Sequence, residues 1–303
     1  MTDSSRTPSR DAIVERAWAK VNLTLRVTGR RTDGYHELES LVVFAEVGDV
    51  VILEPLDGHN LHLTVEGPQA GPLHHEHDNL VMKAALALGK CAAVAAGAKM
   101  TLTKNLPVAS GIGGGSADAA AALRGLLRLW NLRLPAAELA ELALRLGADV
   151  PVCLRGEPVV MSGIGERLQP VAAVPPLWLL LVNPGVAVST PAVFKALAGT
   201  YSTVLEPRLP PADAAGFLAW VAARGNALEA PACGQAPVIR DVLAALAGLP
   251  GCRLARMSGS GATCFGLFEN EDAARGAAAA LAGNYGSWWV APARLLPAAR
   301  QLP

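Results

Sequence analysis

The sequence carries no surplus of charge: 26 Lys and Arg stand against 26 Asp and Glu in 303 residues. Charged residues make up only 17% of the chain. That balance argues against nucleic acid as a partner gripped through general basicity, while leaving a small local anion site open. Cysteine is scarce as well. Cys91, Cys153, Cys233, Cys252 and Cys264 are odd in number, widely spread and form no C-x-x-C. Neither a disulfide framework nor a zinc ribbon is suggested, and a reduced, cytoplasmic setting is expected. No apolar run approaches the ~18 residues of a membrane span, and no membrane partner is expected. The best run, 177–182, has the length of a buried strand. Residues 2–10 are polar and lack the apolar core of a signal peptide.

What is present is a chain 51% hydrophobic, far from the disordered range and able to bury a sizeable core. Much of that content is Ala, so closely packed helices with small contacts are expected. Its length suggests about two domains. Residues 1–12 are expected as a flexible tail, with domains over 13–165 and 166–303. Strands are expected at 13–27, 41–44, 50–53, 61–65, 100–103, 158–161, 177–182, 253–257, 262–268 and 288–291. The stretch 28–37 is rich in turn residues. Helices are expected from an Asp78 cap to Cys91, from Ser116 through Trp130, and from Pro135 to a stop at Gly147. Others are expected from a Ser189 cap with Pro191 in the first turn, and at 214–222, 237–247 and 272–281. The fold class is α+β, with mixed or antiparallel sheets packed by helices.

The most informative stretch runs from Pro107 to Ala119 and contains Gly111, Gly113, Gly114 and Gly115. Glycines allow positive φ and let a backbone come close to a ligand. A strand, a glycine-rich loop and a helix in succession place unpaired N–H groups at a helix start, a ready phosphate site. The Ser116 hydroxyl sits where it can bond a phosphate. Two better-known loops do not fit. A Walker A loop ends in Gly-Lys-[Ser/Thr], and no Lys stands here. A dinucleotide fingerprint needs Gly three residues after Gly113, where Ser116 stands. A second cluster, Met257-Ser-Gly-Ser-Gly-Ala-Thr263, is either a hairpin turn or a means of bringing Ser258 to the same ligand. Lys20 is odd within an apolar strand, because such a charge is normally at an edge or paired. Asp149 is one candidate partner. Residues 73–77 hold three histidines, which cannot all face one ion from a rigid element, so this is read as a solvated loop. Arg30 and Arg31 are either a solvated turn or an attraction for an anionic substrate.

Four motifs, the first made of two stretches, together carry a resemblance. Ala19-Lys-Val-Asn22 with Asp33-Gly-Tyr-His36 resembles the N-terminal signature of the 4-diphosphocytidyl-2-C-methyl-D-erythritol kinases. The loop Pro107 to Ala119 resembles the ATP loop of the GHMP kinase superfamily, and Gly147-Ala-Asp-Val-Pro151 and Ser258-Gly-Ser-Gly-Ala262 resemble its other two motifs. The resemblance covers residues 13 to about 292 in matching order. It implies a two-domain GHMP-kinase-like fold with an active site in a cleft between domains. It also implies an ATP-dependent transferase of isoprenoid biosynthesis, with Mg²⁺ accompanying ATP.

Residue by residue, the resemblance implies that Asp149 accepts the proton of the substrate hydroxyl and that Lys20 is its cationic neighbour. Pro107, Val108, Ala109, Ser110, Gly111, Ile112, Gly113, Gly114, Gly115, Ser116 and Ala117 form the loop around the ATP phosphates, with Asn79 and Lys104 nearer the nucleoside. Asn22 and His36 contact the small-molecule cytidyl substrate, Tyr35 and Phe194 sandwich its base, and Thr190 fixes its position. Ile112 replaces the usual Leu, a swap of little consequence. Ala117 stands where a second Ser is common, and no acidic residue is marked as a Mg²⁺ ligand. Two alternatives remain. One is a GHMP kinase for homoserine or mevalonate, against which the Asp33-Gly-Tyr-His36 segment argues because those substrates have no base to stack. The other is a non-catalytic binding protein of the same fold, which is free to lose Lys20 or Asp149. Oligomeric state is left open between monomer and weak dimer.

Overall fold

The computed structural model describes residues 12–73, 78–206 and 208–297. The expected tail, apart from Ala12, and the histidine cluster at 74–77 lie outside the described residues. The chain begins with strands β1 (Ile13–Asn22), β2 (Arg26–Arg30), β3 (His36–Leu56) and β4 (Leu61–Glu66). Helix α1 (Leu80–Cys91), strand β5 (Gly97–Thr103) and helices α2 (Gly114–Leu129), α3 (Ala136–Leu146) and α4 (Val150–Arg155) follow. Then come β6 (Val159–Gly163), β7 (Arg167–Pro170), β8 (Trp178–Asn183) and helices α5 (Thr190–Ala196), α6 (Ala214–Arg224), α7 (Glu229–Gln235) and α8 (Val238–Ala247). Strands β9 (Leu254–Met257) and β10 (Cys264–Phe268), helix α9 (Glu271–Asn284) and strand β11 (Trp289–Arg294) complete it. This is the expected α+β class.

The chain forms two compact units that interleave along the sequence, a different division from the consecutive 13–165 and 166–303. One unit holds the chain up to Ala17 with Gly48–Val108 and Gly114–Leu154; the other holds Trp18–Val47, Ala109–Gly113 and the chain from Arg155 onward. The interleaving follows from β3, which gives its first half to one unit and its second half to the other. Residues 41–44 and 50–53, expected as separate strands, are parts of this one strand. Gly48-Asp49 reads locally as a turn, but the interior satisfies the Asp49 carboxylate and the strand runs through.

In the first unit, the second half of β3 pairs antiparallel with β5, from Val50 opposite Thr103 to Leu56 opposite Gly97. β4 pairs parallel with β5. Helices α1 and α2 pack on each other, and Ala84, Ala85, Ala117 and residues 119–122 on them are buried. This matches the packing expected from the alanine content. Asn79, not Asp78, caps α1, its Oδ1 accepting from Val81 N at 2.9 Å. Asp78 instead pairs with Lys83 at 2.7 Å. An Asn cap accepts the same orphan N–H that the Asp was expected to take.

In the second unit, the first half of β3 pairs antiparallel with β2 and β6. A four-stranded antiparallel sheet has the order β11-β8-β10-β9. Its apolar face buries Leu180, Val182, Cys264 and Phe268 against Ile239, Val242 and Leu246 of α8 and Ala274, Ala277 and Leu281 of α9. α4 and α7 were not expected. Each is under two turns long, too short for a periodic apolar stripe to stand out.

Candidate active site

In the second unit, the glycine segment is held against β1 and the β9–β10 turn. Ala109, Gly111 and Gly113 have φ of 50°, 78° and 63°, so the backbone is left-handed at every second residue. Such alternation can turn N–H groups to one side and form an anion-binding concavity. Ile112 O accepts from Lys20 N at 3.0 Å, and Ser110 O from Thr263 N at 3.0 Å. A Cβ on Gly113 would lie 3.1 Å from Lys20 Cβ and Cε, so the loop lies directly on the lysine stem. The cluster at 257–263 is the hairpin turn between β9 and β10. Ser258 on this turn reaches the glycine loop: its Oγ donates to Gly111 O at 3.0 Å and accepts from Asn22 N at 3.0 Å.

Lys20 is buried at 3% exposure, and its Nζ donates to Asn22 Oδ1 at 2.9 Å. Asn22 Nδ2 in turn donates to Ser40 Oγ at 2.7 Å, and Ser40 Oγ donates to Thr24 O at 2.5 Å. Asn22, expected at the substrate, is buried and orients the lysine ammonium. Ser40 was not singled out from the sequence. Only the chain's return along β3 brings it there, which no local pattern announces.

The expected cytosine residues are brought together in part. The rings of His36 and Phe194 stack with centroids 4.8 Å apart and 26° between planes. Tyr35 is exposed at 61% on the turn before β3, where Asp33 Oδ1 accepts from its N–H. The described arrangement therefore pairs Phe194 with His36, whereas the resemblance implies Tyr35 opposite Phe194. Burial, followed by the charge of Arg30, pulls His36 below the usual imidazole range. The ring is thus neutral near pH 7, with one donor and one acceptor nitrogen. Thr190 Oγ1 lies 2.6 Å from Ser260 Oγ, which puts a second hydroxyl beside the expected substrate residue.

In the first unit, α2 begins at Gly114. Ser116 is therefore inside its first turn and does not open the helix, because the turn into the helix is made at Gly113. Asp149 immediately precedes α4, and its carbonyl accepts from Cys153 N at 3.2 Å. Lys104, expected near a nucleoside, has its ammonium engaged by two carboxyl groups. Its ammonium is buried between Asp49 Oδ2 and Asp118 Oδ2, the latter at 2.7 Å. Neither carboxylate was singled out. Asp118 carries the signal used for Lys20, a lone charge among apolar neighbours, whereas Gly48-Asp49 reads locally as a turn. Among the described residues, no group of three His, Cys, Asp or Glu side chains is placed to hold a metal ion.

Burial pushes the Asp118 carboxyl up to about 8; Lys104 pulls it back and Asp49 adds to the rise. Burial alone would lower Lys104, but Asp118 and Asp49 together hold it above its ordinary value. An unfolded Asp titrates near ~3.9, so the native state holds this proton more tightly than the unfolded state. Its contribution to stability is complete below about 4 and is lost as pH rises through about 8. The thermal midpoint should accordingly fall as pH is raised from ~5 to ~8, and Asp118→Asn should flatten that decline. Calorimetry at several pH values checks it; an undiminished slope in Asp118→Asn would assign the proton elsewhere.

The GHMP kinases N terminal domain family matches residues 79–157, and the GHMP kinases C terminal family matches residues 225–287. The 4-diphosphocytidyl-2-C-methyl-D-erythritol kinase of Paramagnetospirillum magneticum is 54% identical over 278 residues, covering 92% of this chain and 96% of the relative. That of Rhodospirillum rubrum is 51% identical over 296 residues, covering 98% and 97%. A crystal structure of 4-(cytidine 5'-diphospho)-2C-methyl-D-erythritol kinase superposes with a TM-score of 0.75 at 36% identity, covering 93% of this chain and 99% of the other. A homoserine kinase from Cytophaga hutchinsonii shares the fold, with a TM-score of 0.72 at 18% identity over 97% of this chain and 98% of the other. With both superfamily domains matched and half of its residues shared with these relatives along nearly its whole length, the chain belongs to the 4-diphosphocytidyl-2-C-methyl-D-erythritol kinase family of GHMP kinases.

Proposed function

We propose that the chain transfers the γ-phosphoryl group of ATP to a hydroxyl of 4-diphosphocytidyl-2-C-methyl-D-erythritol, giving the 2-phosphate in non-mevalonate isoprenoid precursor biosynthesis. The observation that carries this reading is 51% identity maintained over 98% of the chain with a relative of that name. The reaction takes place in the cytoplasm on a small-molecule substrate, with Mg²⁺ arriving on ATP. Mg²⁺ commonly keeps water and phosphate ligands, so a dedicated protein cage is not required of this chain.

Phosphoryl transfer asks for alignment, charge stabilisation and a proton acceptor more than for covalent chemistry by the protein. The substrate hydroxyl oxygen forms a bond to the γ-phosphorus as the bond to the β–γ bridging oxygen breaks, and ADP leaves. Asp149 takes the hydroxyl proton as that bond forms and releases it to water afterwards. Lys20, its ammonium oriented by Asn22, supplies positive charge to the transfer. Gly111–Ser116 offer backbone N–H groups to the ATP phosphates. Pro107–Ser110 and Ala117 complete that loop, with Asn79 and Lys104 toward the nucleoside. His36 reads the edge of the cytosine, Tyr35 and Phe194 provide aromatic faces, and Thr190 holds the methylerythritol part.

The test is ADP release with Mg-ATP and four alcohols offered separately: diphosphocytidyl-methylerythritol, homoserine, mevalonate and free methylerythritol. Turnover with the cytidyl substrate alone is expected. Turnover with homoserine or mevalonate would keep the fold and Asp149 but discard the Tyr35, His36 and Phe194 assignments. ATP binding without turnover of any of the four would favour a non-catalytic protein of this fold.

A further inference from the structure

We propose that Asp49 is a positioning residue for ATP: it sets the strand end that leads into the glycine loop and, through the Lys104 ammonium shared with Asp118, ties that strand end to the start of α2. The proposal rests on the reading of the loop as the ATP-phosphate site.

Asp49 is fully buried in β3. Its Oδ1 accepts from both Asn105 N at 2.6 Å and Leu106 N at 2.9 Å. Its Oδ2 accepts from Lys104 Nζ, and Asn105 Nδ2 donates to Gly48 O at 3.0 Å. Three successive residues at the exit of β5 are thus fastened to two successive residues of β3. Lys104 Nζ also donates to Asp118 Oδ2 at 2.7 Å, on the first turns of α2. Gly114, the first residue of that helix, sits over the network: a Cβ there would lie 3.5 Å from Lys104 Nζ and 3.8 Å from Asp49 Oδ2. One ammonium therefore joins the two backbone segments that flank the glycines.

Holding a strand to a helix does not require buried ions; apolar side chains of similar volume often do so as well or better. A carboxylate gives what an apolar group cannot, an acceptor that fixes the direction of two successive N–H groups and hence the path of the chain into Pro107. A loop that binds phosphate through backbone N–H groups depends on that path, because misplacing a positioning group by ~1 Å can reduce activity by ~10²-fold. The two Asp side chains are not equivalent. An Asn at 49 has one oxygen and one NH₂, so either orientation sets the NH₂ against the Lys104 ammonium or against the two backbone N–H groups, and one tie must break. An Asn at 118 can keep its oxygen on Lys104 and place its NH₂ where Asp118 Oδ1 has no hydrogen-bond partner.

The experiment is titration calorimetry of Mg-ATP binding without a second substrate, together with steady-state KM values, on the full chain. Asp49→Asn is expected to raise the Kd for ATP and KM for ATP by ~10-fold or more, with KM for the cytidyl substrate within ~2-fold of wild type. Asp118→Asn is expected to raise the ATP Kd by only ~2-fold. If Asp49→Asn and Asp118→Asn lower the thermal midpoint alike while both leave the ATP Kd within ~2-fold of wild type, the role is structural and the proposal is overturned. If Asp49→Asn does not fold, Asn105→Ala removes only the tie to Gly48 O. A ~3-fold rise in ATP Kd then supports the proposal, and an unchanged Kd overturns it. A wild-type chain that binds ATP but leaves the cytidyl alcohol unphosphorylated ends the functional reading alone, since Asp49→Asn is still judged by its ATP Kd. A wild-type chain that does not bind ATP ends both.

Discussion

Asp149→Asn should leave the affinity for Mg-ATP nearly intact and lower kcat by ~10²–10⁴-fold, the range ordinarily lost with a positioned general base. The substitution keeps the shape of the side chain and removes only its ability to accept the proton. A carboxylate is too weak a base to deprotonate an alcohol in the ground state. It acts in the transition state, as the new O–P bond makes the hydroxyl proton acidic. The loss therefore belongs in kcat and kcat/KM together, with little change in ground-state binding. Rapid-quench measurement of the first turnover, beside calorimetric ATP binding, checks both halves. Turnover within tenfold of wild type would remove Asp149 from the mechanism.

The glycine loop and Lys20 are legible in the sequence because they break local pattern. Four glycines within five residues are foreign to a helix interior or a strand, and a lysine in the buried half of β1 needs a reason. His36 and Phe194 are singled out only through resemblance, as an edge reader and a stacking ring rather than as a pair, since nothing local links the start of β3 to a helix after β8. Asp49 went unread for a different reason. Gly48-Asp49 has turn chemistry, and its meaning depends on Asn105 and Leu106, whose N–H groups arrive from far along the chain. Local propensity was overruled there by tertiary hydrogen bonds, and one 21-residue strand resulted where two short ones were expected. The starts of α1 and α2 were misplaced by one and two residues, the usual uncertainty of a helix end whose cap is chosen among neighbouring polar residues or glycines.

Gly111→Ala should abolish measurable ATP binding at millimolar nucleotide and lower kcat/KM by ~10²-fold or more, the opposite signature to that of Asp149→Asn. Gly111 has a φ of 78°, a conformation that costs an L-residue roughly 1–2 kcal/mol. Space is the larger obstacle. A Cβ at this position would lie 2.5 Å from Ser258 O, 2.7 Å from Gly261 O and 2.8 Å from Gly261 N. All three are backbone atoms, so no rotamer change relieves the overlap, and the loop must part from the β9–β10 turn. Parting breaks the bond from Ser258 Oγ to Gly111 O and disturbs Asn22, whose N–H donates to that same hydroxyl. Asn22 also orients the Lys20 ammonium, so the damage extends from the phosphate loop to a proposed catalytic charge. Calorimetry with Mg-ATP, and circular dichroism to establish that the variant is folded, decide the matter. A folded Gly111→Ala protein with wild-type ATP affinity would show that the nucleotide phosphates are held by some other part of the chain.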